Sequence, residues 1–324
     1  MAIRSGLNTR IALGEESTWG TEAARTVTMR LISTSLQRRA THEPLPDLAS
    51  ISGTGRVRGT KFQSMERTSG EIKAVCCYEG NAFGILLKHA LGSVSTTGAG
   101  PTYVHTHVIG DTLPTGLSTE LQRGMDGASA STAEEFMGCR VSSLRLDCDP
   151  GKPMELTAQL TAKTGNARLA QSLPALSAPQ FPVLHNHAGT VSWNAQTYTL
   201  AKFSLSIDSK LPEIHELGSQ FITEPPIVDF ADVMLEAEII SRNDNAYTGQ
   251  LVGTQGDLTI TFDDTANTKT MAFTLHNAVI EESTEAISGP GEIRLKVRWR
   301  GYAATSESGL SIAITNGNSS AIAA

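Results

Sequence analysis

The chain has 324 residues, with 26 Lys and Arg against 33 Asp and Glu for a formal net charge of −7, and only 5% of its residues are aromatic. Residues 1–162 carry 16 basic and 16 acidic groups, whereas residues 163–324 carry 10 and 17. A neutral half joined to an acidic half disfavours stable nucleic-acid binding, which rests on neutralising phosphates with Lys and Arg, and the few aromatics argue against a surface for stacking bases or sugars. The length suits two cores of ordinary size. Nowhere do eighteen apolar residues run together, and residues 1–8 lack the apolar segment of a secretory leader, so no membrane insertion is expected. Cys76, Cys77, Cys139 and Cys148 have no Cys-x-x-Cys spacing and read as reduced, small apolar fillers.

In chain order, residues 9–13 read as a short strand, and a turn-like Gly14-Glu15-Glu16-Ser17-Thr18-Trp19-Gly20-Thr21 follows. Val27, Met29 and Leu31 then alternate into residues 33–36. Residues 37–69 are rich in Gly and Arg and broken by Pro44 and Pro46; with no buried face of their own they read as an irregular, projecting arm. A strand is expected over 71–78 and a helix over 81–91. In the helix Ala82, Ile85, Leu86 and Ala90 recur at spacings of three and four, Asn81 caps the first turn, and Gly92 stands where a C-terminal glycine belongs. A glycine-threonine loop leads to strands over 103–109 and 117–121. The strongest pattern lies over 136–163, where Leu144, Leu146 and Cys148, then Met154, Leu156, Ala158, Leu160 and Ala162, alternate with polar residues on either side of Asp149-Pro150-Gly151. Period two gives each strand one buried and one wet face, and Pro-Gly supplies the turn of an antiparallel hairpin.

The second half repeats this order. After a proline-rich linker over 172–182, Phe203, Leu205 and Ile207 alternate as Met29 and Leu31 do. A strand over 233–240 precedes Asn245-Ala246-Tyr247, which mirrors Asn81-Ala82-Phe83 at a distance of 164 residues, and Leu251-Val252 mirrors Leu87-Lys88. Strands over 258–262, 271–280 and 292–299 follow, the last alternating Ile293, Leu295, Val297 and Trp299 with Arg294, Lys296 and Arg298. The expected fold is mainly β with short helices: two tandem β-sandwich or partial-barrel domains, residues 1–172 and 183–324, each flanked by a short helix, with the arm at about 37–69 in the first. Exposed sheet edges of such domains favour assembly.

The opening Ile11-Ala12-Leu13-Gly14-Glu15-Glu16-Ser17-Thr18-Trp19-Gly20-Thr21 resembles the N-terminus of tail tube proteins, the major tail proteins of long-tailed bacteriophages. Phe136-Met137-Gly138-Cys139-Arg140-Val141-Ser142-Ser143-Leu144 and Phe203-Ser204-Leu205-Ser206-Ile207-Asp208-Ser209 are similar to the same family. The resemblance implies a virion protein made in the bacterial host cytoplasm, whose curved sheet surrounds a channel for DNA delivery. Stacked rings would polymerise around a tape-measure protein between tail-tip and head-proximal terminator proteins. Two tube domains per chain favour a trimer with pseudo-sixfold symmetry over a hexamer with an outward second domain. On this reading the arm residues Arg38, Arg39, Arg56, Arg58 and Lys61 cross a subunit or ring boundary to meet carboxylates of the acidic half; a solvated loop is the other reading. A surface adhesion or carbohydrate-binding β module is the alternative function.

Other motifs suggest chemistry and lack its complement. His105 with His107, and His185 with His187, each place two imidazoles on one strand face, but no third or fourth ligand lies near in sequence, and they read as exposed strand or linker histidines. Gly53-Thr54-Gly55-Arg56-Val57-Arg58-Gly59 lacks the helix that a nucleotide loop must open. Asp263-Asp264 and Glu281-Glu282 are adjacent, so on strands they face opposite ways. No hydrolase motif occurs. No catalytic, cofactor or metal site is therefore expected, and the chain does not read as an enzyme.

Overall fold

The computed structural model describes residues 9–44, 61–79, 81–100, 102–122, 132–170, 181–240, 245–286, 294–303 and 307–317. The first half contributes β1 (Arg10–Glu15), β2 (Val27–Arg30), β3 (Ser33–Thr34), β4 (Gln37–Pro44), β5 (Lys61–Val75), α1 (Asn81–Leu91), β6 (Gly92–Ala99), β7 (Thr102–Ile109), β8 (Leu117–Gln122), β9 (Thr132–Cys148), β10 (Glu155–Ala162) and β11 (Thr164–Ala170). The second contributes β12 (Ala188–Trp193), β13 (Gln196–Tyr198), β14 (Leu200–Asp208), β15 (Asp232–Ile240), α2 (Asn245–Val252), β16 (Gln255–Asp264), β17 (Lys269–Ala286), β18 (Arg294–Arg300) and β19 (Leu310–Asn316). The protein is mostly strand, in open sheets, and no helix among the described residues is long and apolar enough to cross a membrane.

One antiparallel sheet runs β5-β10-β9-β14-β15-β18-β17 through both halves. Its inward residues, among them Leu144, Leu146, Leu156, Leu160, Leu205, Ile207, Leu235, Val297 and Trp299, are buried. β9 and β17 are long enough to serve two layers. The first part of β9 pairs with β8 and β11 and its second part with β10 and β14. The first part of β17 pairs with β16 and β19 and its last part with β18. β1 and β2 extend the outer layer of the first half beyond β8. In the second half, β12 and β13 extend it beyond β16, and β7 and β6 beyond β19. Phe203, Phe262 and Phe273 fill the space between layers, with ring centroids 5.6 to 6.1 Å apart.

The two long strands change layers in the same way. Opposite Ser118 of β8, β9 carries two residues, Met137 and Gly138; opposite Asp257 of β16, β17 carries His276 and Asn277. Four residues later each has a second extra residue, Ser142 against β10 and Glu281 against β18. Such bulges bend a strand and sharpen its twist. Gly138 and Asn277 both have positive φ, 66° and 46°. A carboxylate accepts each bulge N–H: Glu16 takes that of Gly138 at 2.8 Å and Asp257 that of Asn277 at 3.0 Å. A tryptophan indole N–H donates beside each bulge, Trp19 to the Gly138 carbonyl at 3.1 Å and Trp193 to the Ala278 carbonyl at 3.2 Å. Two of the three stretches that carry the family resemblance, residues 11–21 and 136–144, are thus in direct contact.

α1 forms as the spacing predicts, and Gly92 ends it with φ 108°. It is buried on nearly all sides, not one, because it lies on β9, β7 and β2; only Asn81 and Lys88 are partly exposed. α2 is more open. Leu251 and Val252 are exposed, unlike Leu87, and the side chains of 245–248 lie outside the described residues. All four cysteines are buried and free, and burial pushes the Cys139 thiol up to about 12.

Some expectations need correction. Residues 37–44 and 61–69 are not irregular: β4 and β5 pair from Gln37 opposite Ser69 to Pro44 opposite Lys61, and residues 45–60 of the expected arm lie outside the described residues. Its polar residues on both faces hide a period that only matters where one face is buried. The glycine-threonine loop is strand β6, paired along its length with β7, and β11, β12, β13 and β19 were not foreseen. Most of the linker over 172–182 lies outside the described residues; where the chain resumes, Tyr78 N–H donates to the Phe181 carbonyl at 2.9 Å.

A Cβ on Gly138 would lie 2.9 Å from Lys163 Cβ and 3.0 Å from the Trp19 ring, at a backbone φ that L residues rarely adopt. Gly138→Ala is expected to cost about 1–3 kcal/mol, read as a lower urea midpoint. An unchanged midpoint would contradict the bulge's role.

Candidate functional site: a charge-balanced sheet face

The wet face of the long sheet forms an open hollow of about 690 Å³ lined from β5, β10, β9, β14, β15, β18 and β17. Six basic side chains line it, Lys73, Arg145, Lys152, Lys202, Lys296 and Arg298, and six acidic ones, Asp147, Asp149, Glu155, Glu236, Glu238 and Glu282. Strand period places most of them there, alternating with buried apolar residues, while Asp149 and Lys152 come from the turn between β9 and β10. Register then sets opposite charges side by side. Lys202 faces Glu238, which faces Lys296; Glu236 faces Arg298, which faces Glu282.

The pairs close at short range. Lys73 Nζ lies 2.7 Å from Glu155, and that hydrogen bond raises the Lys73 pKa. Arg298 reaches Glu236 at 2.7 Å and Glu282 at 3.4 Å, Arg145 reaches Asp147 at 2.9 Å, and Lys202 reaches Glu238 at 3.5 Å. Exposed pairs of this kind add little stability, a median of about 0–1 kcal/mol. Their consequence is electrostatic: charges of both signs interleaved at contact distance leave no extended positive field to hold phosphate.

The arm residues distribute differently. Arg38 turns inward at the hairpin root, where it meets the Glu66 carboxylate at 2.5 Å and the Gly165 carbonyl at 2.9 Å. Glu66 is fully buried and also accepts from Thr164 Oγ1 at 3.0 Å. Arg39 and Lys61 are exposed on the hairpin, and Arg56 and Arg58 lie outside the described residues. Arg67 does meet a carboxylate of the second half, Glu213 at 2.8 Å, but within the same chain.

One histidine pair departs from the expectation of exposed strand or linker residues. His105 and His107 are fully buried on β7, which is an inner strand between β6 and β19. His105 bonds Thr96 Oγ1 at 2.9 Å and Asn316 Oδ1 at 3.1 Å. Burial pulls the His107 pKa down to about 3, so that ring stays neutral in the folded chain at ordinary pH. His185 and His187 sit in a short 3-10 turn, not a strand, and His187 Nδ1 lies 3.2 Å from the Tyr78 hydroxyl. The glycine-rich stretch 53–59 lies outside the described residues.

Alternation exposed these charged residues in the sequence, but their rows depend on register across seven strands, which the sequence does not spell out. Reversing Glu155, Glu236 and Glu282 to Lys leaves nine basic and three acidic groups on the face. The triple variant is expected to retain duplex DNA with an affinity that falls steeply with salt, while the natural protein does not. Measured by filter binding, tight DNA retention by the natural protein would contradict this account.

The family model described as phage tail tube protein matches residues 6–301. No curated protein matches the chain. Proteins of this family are structural and non-catalytic, and the match spans most of the length. This chain, with its open antiparallel sheets and its charge-paired face, belongs to the phage tail tube protein family and is a structural protein, not an enzyme.

Proposed function

We propose that the chain is a tandem pair of tube units, residues 1–172 and 183–324, and that three chains close into a ring with pseudo-sixfold symmetry. Rings stack into the tail tube around a tape-measure protein, capped by tip and terminator proteins, in the virion. The balanced face lines the channel, through which DNA passes without being held.

Matching registers support the duplication. Leu117 pairs with Cys139 as Gly256 pairs with Ala278, and Leu160 pairs with Val141 as Trp299 pairs with Ile280; in each case the counterparts lie 139 residues apart. The β6-β7 hairpin, between α1 and β8, has no counterpart between α2 and β16.

The observation that carries the ring is the seam between halves. β9, the longest strand of the first unit, pairs with β14 of the second, from Ser143 opposite Asp208 to Cys148 opposite Phe203. The counterpart of β9 is β17, and its edge at residues 282–286 has no partner among the described residues. An open strand edge invites a further strand. Superposing Gly70 of β5 on Leu235 of β15, the partners of Leu160 and Trp299, puts Gln37 on Ser206 and Arg39 on Asp208. Repeating the seam between chains then sets Gln37 of one copy opposite Thr284 of the next, and Arg39 opposite Glu282. Unlike charges meet there, and Arg39 finds its partner across the boundary.

The β4-β5 hairpin reaches toward the adjacent ring. Purified protein is expected to form hollow tubes in negative stain, built from rings of three chains by mass. Replacing residues 43–62 by a short turn keeps the Arg38–Glu66 root, and is expected to leave the melting temperature unchanged and to stop tube growth. Isolated particles at every concentration of the natural protein would overturn the tube reading; normal tubes from the shortened chain would overturn the hairpin's part in it.

A further inference from the structure

The bulge in β17 gathers three side chains with no part in the assembly described above. Asp257 of β16, His276 of β17 and Glu307, just before β19, each offer one donor atom, all within 4.8 Å of one another. His276 Nδ1 lies 3.1 Å from a Glu307 carboxylate oxygen and 3.5 Å from Asp257 Oδ2. We propose that these three residues form a site for one divalent transition-metal ion of the zinc class.

The spacing is that of a coordination shell. Tetrahedral arms of 2.0–2.1 Å set neighbouring donors about 3.3 Å apart. His276 Nδ1 is a buried atom without a hydrogen bond, although two carboxylate oxygens lie within 3.5 Å of it. The opposite ring nitrogen, Nε2, lies 3.3 Å from Ser311 Oγ, which fixes the ring, and the second oxygen of Asp257 accepts the Asn277 N–H at 3.0 Å. Outer contacts of this kind orient metal ligands.

The backbone holds the imidazole in place. His276 N–H donates to the Gly309 carbonyl, and its own carbonyl accepts from Tyr302 N–H, both at 3.1 Å. The first-half bulge has the same register with Met137 in place of His276 and Ser118 in place of Asp257, so the site belongs to the second half alone. One neutral imidazole and two carboxylates suit Zn²⁺, Co²⁺ or Mn²⁺ better than Ca²⁺ or Mg²⁺, which favour oxygen ligands throughout. Both carboxylates are about half exposed, leaving room for water as a fourth ligand. A bound ion ties the β18-β19 connection to the start of β16.

The test uses the full-length, untagged chain stripped with chelator. Titration calorimetry with Zn²⁺ is expected to give one ion per chain, Co²⁺ to give the visible bands of a tetrahedral site, and Zn²⁺ to raise the melting temperature. Asp257→Asn, His276→Gln and Glu307→Gln should each weaken Zn²⁺ binding by about tenfold or more, with the metal-free melting temperature of Glu307→Gln unchanged. A protonated His276 bridging the two acids would bind no ion: absence of saturable binding, or binding that survives Glu307→Gln, overturns the proposal.

Discussion

Two strands carry this structure because each must satisfy two layers at once. β9 and β17 begin between outer strands and end within the long sheet, and a straight ladder cannot make that passage. Each bends at a bulge whose positive φ, freed N–H and exposed carbonyl need partners, and supplying them brings distant segments together. Glu16 and Trp19 reach Gly138 from more than a hundred residues away, and Trp193 closes over the second bulge. The core between layers, including the three packed phenylalanines, exists because these strands cross it.

The same bend separates structural from working surface. One face of the long sheet is sealed by the outer layer, and the other is left wet along seven strands. On that face lysines, arginines and carboxylates alternate by neighbour, so their fields cancel within a few ångströms while the chain as a whole stays acidic. A surface of this kind stays hydrated and offers polyanions no binding well, which is what the proposed channel wall requires.

Much of the fold was legible where one physical period dominated. The 81–91 helix announced itself by spacing, cap and terminal glycine, and the hairpin of β9 and β10 by strict alternation around Pro150-Gly151. β9 and β17 carry bulges of the same register, which supports the proposed repeat. What stayed hidden lacked a buried face or depended on partners far along the chain. β4 and the start of β5 are polar on both sides, and β6 is Gly, Ser and Thr for most of its length. His105 and His107 read as exposed because nothing local says that β19, some two hundred residues later, pairs with their strand and makes it an inner one. Asp257, His276 and Glu307 are separated in sequence and converge only because the bulge turns His276 toward them.

The central claim is that the seam between β9 and β14 is rebuilt between chains. Directly opposed residues of an antiparallel pair bring Cα atoms to about 4.5–5.5 Å, within disulfide range. The most direct measurement is oxidation of assembled Gln37→Cys, Thr284→Cys protein, with Arg145→Cys, Ser206→Cys as the control across the internal seam. The account predicts a ladder of covalent multimers from the first variant on non-reducing gels and only internal cross-links from the second. Efficient cross-linking of the control with no intermolecular product from Gln37 and Thr284 would contradict it.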